Sequence, residues 1–172
     1  EDGWRANFEA DMLSTWRGVQ LVQPWLEKSE SGAIVAISST AALEAFAGAV
    51  PYSAMKAALL NYTGNLAQDL AHKGIRVNSV SPGPVFIDGG AWDNIKQAMP
   101  EVYEGTVAAI PMGRMGSGQE IADAVAIGVP EAARVNLIDR RASPPFAFRL
   151  RPSGGRCAQG FSLLLNDGRA AH

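Results

Sequence analysis

Cysteine is nearly missing from this 172-residue chain, which has one, Cys157. A lone cysteine closes no internal disulfide, so the fold has to be held by its core, and the expected compartment is a reducing cytoplasm. Histidine is almost as scarce: His72 and His172 lie far apart, and with no cysteine cluster beside them a zinc site is not expected. No apolar run approaches the ~20 residues a membrane helix needs, and no charged-then-apolar secretory segment opens the chain. No internal repeat is visible. What is present suits one globular domain: 47% hydrophobic and 19% charged residues, with 18 Gly and 10 Pro in loops.

Charge is unevenly spread. Residues 1–127 carry 8 basic and 14 acidic side chains, net −6, whereas residues 128–172 carry 7 Arg, no Lys and 3 acids, net +4. The division expected is therefore 1–127 as the folded unit and 128–172 as a divergent, Arg- and Pro-rich tail. Both disorder and a shifted reading frame fit that tail. A nucleic-acid-binding arm fits it poorly, because aromatic residues are not interleaved with the arginines.

Apolar residues recur at helical spacing from Trp4 through Phe8, Met12, Val19 and Val22 to Leu26, and Pro24 should bend or end that helix. The run "AIVAIS" at 33–38 is short, β-branched and unalternating, as in a strand covered on both faces of a parallel sheet. Pro51 can open a helix whose apolar positions continue through Leu59, Tyr62, Leu66 and Leu70, with Gly74 as its stop. "IRVNSV" at 75–80 reads as the next strand, cut off by "SPGP". Strand, helix, strand predicts a parallel βαβ unit. Residues 86–110 have no clean period and read as a long loop with short helices. "SGQE" at 117–120 spaces Ser and Glu as a capping box before a helix, which also explains the glycines of "GRMGSG" without a phosphate cradle.

Three of these pieces converge on one rim, because working groups of α/β sheets gather at the carboxyl ends of the strands. Ser38 and Ser39 close the first strand, Tyr52 and Lys56 occupy the first turns of the next helix, and Pro82 and Gly83 follow the second strand. A phenol ordinarily keeps its proton to about pH 10, so proton exchange near neutrality needs something that stabilises its anion. An ammonium about 6 Å away, the reach of an i,i+4 pair, supplies roughly 2.8 kcal/mol at an effective dielectric near 20. A nearby serine hydroxyl could hold a substrate oxygen meanwhile. Each element alone also has a plain structural reading: a strand end, an amphipathic helix edge, a turn. Their joint spacing is what points to chemistry, with Ser39 thirteen positions before Tyr52 and Lys56 four after it.

That pattern, in "ISSTAALEAFAGAVPYSAMKAALLNYTGNLAQDLAHKGIRVNSVSPGPV" and again in "IPMGRMGSGQEIADAV", strongly resembles the short-chain dehydrogenase/reductase family over residues 4–127. The resemblance implies an α/β fold: a Rossmann-like parallel sheet flanked by helices, incomplete because the N-terminal βαβ units with the glycine-rich turn are absent. It implies NAD- or NADP-dependent hydride transfer between nicotinamide and an alcohol or carbonyl compound. Tyr52 would be the acid/base, Ser39 would polarise the substrate oxygen, and Lys56 would assist the tyrosine and hold the nicotinamide ribose. Pro82, Gly83 and Val85 would border the nicotinamide. Phe86, Trp92, Met99 and Tyr103 fall where the family varies its substrate loop, which suggests an apolar-walled pocket, although core packing explains them equally well. A homo-oligomer is the family's usual assembly, and neither membrane nor nucleic acid is implied.

The chain departs from the family in places. The family's fourth catalytic position, an Asn, falls at Asp11, whose added carboxylate would oppose ionisation of the tyrosine. A threonine often found after the Pro-Gly turn appears as Ile87. Beyond "IADAVAI", "VNLIDRR" is at most a remnant of the family's last strand. The competing function is a truncated, catalytically silent chain whose helices over 4–28 and 51–73 associate with copies or relatives, with Ala54, Ala57, Ala58 and Gly64 permitting close contact.

Overall fold

The computed structural model describes residues 1–45, 48–128, 136–139 and 162–165. The Arg- and Pro-rich stretch and Cys157 lie outside the described residues. The first helical stretch runs unbroken through α1 (Asp2–Asn7), a π-helical segment (Phe8–Leu13) and α2 (Ser14–Leu26). As expected, it ends just after Pro24. The π segment was not foreseen, and it loosens the regular backbone ladder. Hydroxyls close part of that ladder: Ser14 donates to the carbonyl of Ala10, and Thr15 donates to that of Asp11 at 2.7 Å.

Strand β1 (Ala33–Ile37) pairs in parallel with β2 (Arg76–Ser81), in register from Ala33 opposite Arg76 to Ile37 opposite Val80. Helix α3 (Pro51–Ala71) joins them, with Pro51 in its first turn where a missing N–H costs nothing. It buries Leu59, Thr63, Leu66 and Leu70, a 4-3-4 spacing that keeps one stripe on the sheet. Val19, Leu66, Leu70, Ile75 and Val77 form a core against which Leu26, Ile34 and Tyr62 pack; burying each such aliphatic side chain is worth about 1.5–3 kcal/mol. Ala54, Ala57 and Ala58 face outward and take no part in this packing. Gly74 adopts φ +73°, the left-handed conformation that lets the chain leave α3 and enter β2. Gly32 is required for space: a Cβ there would stand 2.9 Å from the carbonyl oxygen of Leu26.

The sheet order is β1-β2-β5-β6, with every pairing parallel. Strand β5 (Asn136–Asp139) comes from "VNLIDRR", and β6 (Ser162–Leu165) is an addition the sequence reading lacked. Residues Val77–Ser81 of β2 are all buried, as a central strand should be. Strand β1 is less covered than its unalternating sequence implies, with only Ala36 buried, because it stands at the edge in this order. A second ladder pairs β3 (Val85–Phe86) with β4 (Gly116–Ser117). Between them, the short helices expected within the long connection are α4 (Ala91–Ala98) and α5 (Pro100–Ala109), which take up most of its length.

Helix α6 (Gly118–Gly128) opens with the expected capping box. The Ser117 N–H donates to Glu120 Oε2 at 2.8 Å, and the Glu120 N–H donates to Ser117 Oγ at 3.3 Å. Arg114 adds two parallel 2.9 Å bonds to the same carboxylate. Those contacts, the guanidinium first, hold the Glu120 carboxyl down to about 2 from its ordinary 4.5. A depressed folded value means the stabilisation is complete above about pH 4.5 and is lost as pH falls toward 2. Denaturant unfolding between pH 5 and 2 should therefore show the parent losing stability more steeply than Glu120→Gln; parallel slopes would exclude this clasp as an acid-sensitive element.

Candidate active site

Two adjacent serines leave β1, and the structure gives them different work. Ser38 is buried and donates through Oγ to the Lys56 carbonyl at 2.9 Å, fastening β1 to α3. Ser39 caps the 3₁₀ turn Thr40–Ala42, its Oγ accepting from the Ala41 N–H at 3.2 Å. A hydroxyl that accepts in this way still has its proton to donate. Backbone bonds stitch the rim together: the Ser38 N–H donates to the Val80 carbonyl at 2.8 Å, and the Thr40 N–H to that of Pro82 at 2.9 Å.

Tyr52, in the first turn of α3, is 40% exposed and lines a cavity of about 800 Å³ together with Ser39, Gly83 and Pro84. The three pieces expected at the rim therefore meet around one space. One turn behind Tyr52, the Lys56 Nζ lies 5.7 Å from the tyrosine ring centroid. It pairs with Asp11 Oδ1 at 2.9 Å and donates to the Ile37 carbonyl at 3.0 Å. The pair is largely enclosed, with side-chain exposures of 13% for Lys56 and 15% for Asp11. Asp11 belongs to the π segment, so the irregular helix delivers this carboxylate to the ammonium. Lys56 and Asp11 stand outside the cavity lining, as do Pro82, which is buried, and the half-buried Val85, which pairs with Gly116.

The structure divides the four residues between the two readings left open by the sequence, pocket wall and packing. Of Phe86, Trp92, Met99 and Tyr103, only Trp92 lines the cavity. Phe86 and Tyr103 meet edge to face at 6.1 Å, and the Lys96 ammonium sits over both rings at 5.4 and 5.3 Å. They tie α4 and α5 together. The wall instead includes Val102, Thr106 and Ala109 of α5, together with Glu44, Ile95 and Ile110. The 102-106-109 spacing was a readable helical stripe behind Pro100. Ile87 is exposed.

The donor set suits the ribose-nicotinamide end of a dinucleotide. Lys56 has three N–H donors, of which two go to Asp11 and Ile37, leaving one, among the described residues, for a ribose hydroxyl beside the phenol. For the adenylate end, no glycine-rich strand-turn-helix occurs among the described residues, and "GRMGSG" is occupied by β4 and the capping box.

A family model described as enoyl-(acyl carrier protein) reductase matches residues 1–135. The chain belongs to the short-chain dehydrogenase/reductase family. Isoepoxydon dehydrogenase of Penicillium expansum is 36% identical over 135 residues, covering 77% of this chain and 52% of that protein. The 3-oxoacyl-[acyl-carrier-protein] reductase of Vibrio cholerae is 34% identical, covering 78% of this chain and 54% of the relative. Among solved structures, a family oxidoreductase from Burkholderia thailandensis superposes with TM-score 0.69 at 30% identity, over 76% of this chain and half (50%) of that one. A 7α-hydroxysteroid dehydrogenase complexed with NADH and 7-oxo glycochenodeoxycholic acid gives 0.67 at 33% identity, over 76% and 49%. The chain spans about half the length of the curated relatives it matches. The fold is the family's Rossmann-like α/β fold, carried here in incomplete form. No helix among the described residues is long and apolar enough to cross a membrane.

Breaking one side of an enclosed ion pair leaves the other charge uncompensated. Lys56→Met and Asp11→Asn, compared with the double variant by urea unfolding, should give a coupling energy of about 1–3 kcal/mol. Additive losses would show that the two groups do not stabilise each other.

Proposed function

We propose that this chain performs the catalytic part of NAD(P)-dependent oxidoreduction between an alcohol and a carbonyl compound. The observation that carries this reading is that Tyr52 and Ser39 line one cavity while the Lys56 ammonium lies 5.7 Å from the tyrosine ring. The nicotinamide, when bound, supplies or accepts the hydride. Lys56 and Tyr52 would hold its ribose, and the segment of Pro82, Gly83 and Val85 would border its ring.

In the reductive direction the Tyr52 hydroxyl gives its proton to the substrate carbonyl oxygen, while Ser39 Oγ donates a hydrogen bond to the same atom and fixes its position. In the oxidative direction the Tyr52 oxygen takes the alcohol proton. The Lys56 ammonium stands beside the phenol, 5.7 Å from its ring centroid. Asp11, 2.9 Å from that charge, cancels part of its field at the tyrosine and directs the ammonium toward itself. The pair therefore trades acid/base strength for a fixed lysine position.

Homo-association is the second reading. Large apolar side chains stand exposed along the first helical stretch, with Leu21 and Trp25 each 74% accessible. The outward Ala54, Ala57 and Ala58 of α3 would let a neighbouring helix approach closely.

Purified chain should bind NAD(H) or NADP(H) in a fluorescence titration and reduce simple ketones in a Tyr52-dependent way. Tyr52→Phe should lower kcat by about 10²-fold or more, the usual share of general acid/base catalysis. No cofactor binding together with stable oligomers would favour the association module. Asp11→Asn should raise kcat several-fold, because it keeps an oxygen for Lys56 and removes the opposing charge. An unchanged or lower rate would show that the carboxylate is adapted to the reaction.

A further inference from the structure

Several glycines are explained by the backbone. Gly74, Gly89 and Gly113 adopt positive φ, and a Cβ at Gly32 or Gly90 would stand 2.9 Å from a backbone carbonyl oxygen. Gly105 has neither reason. It lies inside α5, where the backbone suits any residue, and a Cβ built on it would meet no atom within 4 Å among the described residues. A glycine in a helix interior costs stability relative to alanine, because more backbone freedom is lost on folding. Gly18 and Gly64 are equally unconstrained, but they stand outside the cavity, whereas Gly105 lines it beside Tyr52 and Ser39.

The cavity-lining residues of α5 fall on one face of the helix. At 100° per residue, Glu101 and Thr106 mark the edges of that face, and Gly105 and Ala109 lie between them. The middle of the wall therefore carries the smallest side chains. Trp92, Ile95, Val102 and Ile110 make much of the remaining lining apolar. At about 800 Å³ the space stands toward the upper end of small-molecule sites, which run from about 300 to 1,000 Å³. A one-ring ketone held at Ser39 and Tyr52 would leave water against apolar walls, and a second ring would displace that water and bury more apolar area.

We propose that Gly105 sets substrate size: its missing side chain leaves room on the α5 wall for the apolar body of a carbonyl or alcohol compound with two or more rings. This inference rests on the reading of the cavity as the substrate site of the oxidoreductase. It makes Gly105 a determinant of size that takes no part in proton transfer.

The test compares cyclohexanone with 4-cyclohexylcyclohexanone, each titrated against the full chain without nucleotide by ligand-observed NMR. The two-ring ketone should bind the parent about tenfold or more tighter. Gly105→Leu places a side chain in the open space and should lower that ratio about fivefold or more. Gly105→Ala adds one methyl group, should lower the ratio about twofold, and should raise the thermal midpoint because alanine favours the helix. A parent ratio below tenfold, a ratio that neither variant lowers, a lower thermal midpoint for Gly105→Ala, or no binding of either ketone overturns the proposal. Turnover is read separately. If the ratio responds to residue 105 but no nicotinamide-dependent reduction occurs, the oxidoreductase reading fails and the size assignment stands. If reduction occurs and the ratio ignores residue 105, only the size assignment fails.

Discussion

The Lys56 ammonium is the point on which the architecture of this rim depends. It rises from α3, reaches the carbonyl of Ile37 at the end of β1, and closes on Asp11 in the π-helical segment. Three stretches distant in sequence are thereby held at one atom, and Ser38 reinforces the junction from the other side by bonding the Lys56 backbone. Charge in such an enclosed place is tolerable only with a partner. Asp11 meets that need, and in doing so places a carboxylate where relatives of this kind would be expected to carry an amide. The same contact that rigidifies the rim also tempers the field felt by Tyr52.

The remainder of the site is arranged around that junction. Ser39 is presented by a capped turn, and Tyr52 by the first turn of α3, at the open end of the same stripe that carries Leu59, Leu66 and Leu70 into the interior. Both are first-turn or turn residues, a placement that aims their hydroxyls into the cavity without burying them. The wall facing them belongs to α4 and α5 and to the turns around them, helices that bury none of their residues fully. Ser39 and Tyr52 on one side of the cavity and the α4–α5 wall on the other thus come from different parts of the chain.

Much of this was legible in the residues. The βαβ unit followed from an unalternating strand, a helical period begun by Pro51 and a glycine stop, and each appears where the periodicity placed it. The capping box was readable because its two partners are local. Contacts between distant segments were not. A spacing of four, as in Trp4, Phe8 and Met12, is compatible with both a regular and a widened helix, so the π segment was invisible. The position of Asp11 could be counted, but its ion pair with Lys56 depends on how the first helical stretch packs on α3. Aromatic character alone did not say whether Phe86 and Tyr103 face a ligand or each other, and Lys96 decides that by lying over both. β6 escaped notice because a four-residue strand, one serine and three leucines, carries almost no period of its own.

The two-rung ladder between β3 and β4 has a mechanical meaning. Helices α4 and α5 leave the body of the protein at Phe86 and return to it near Gly116, and those two points are bonded to each other. The excursion is a flap with both its ends pinned along one short axis, stiffened internally by the Lys96 clasp. The two ends of the excursion therefore share one short line of attachment, and α4 and α5 form a joined pair beyond it. The pinned line also borders the cavity itself, since the Gly116 N–H donates to the carbonyl of Pro84 at 2.9 Å and Pro84 lines that space with Tyr52.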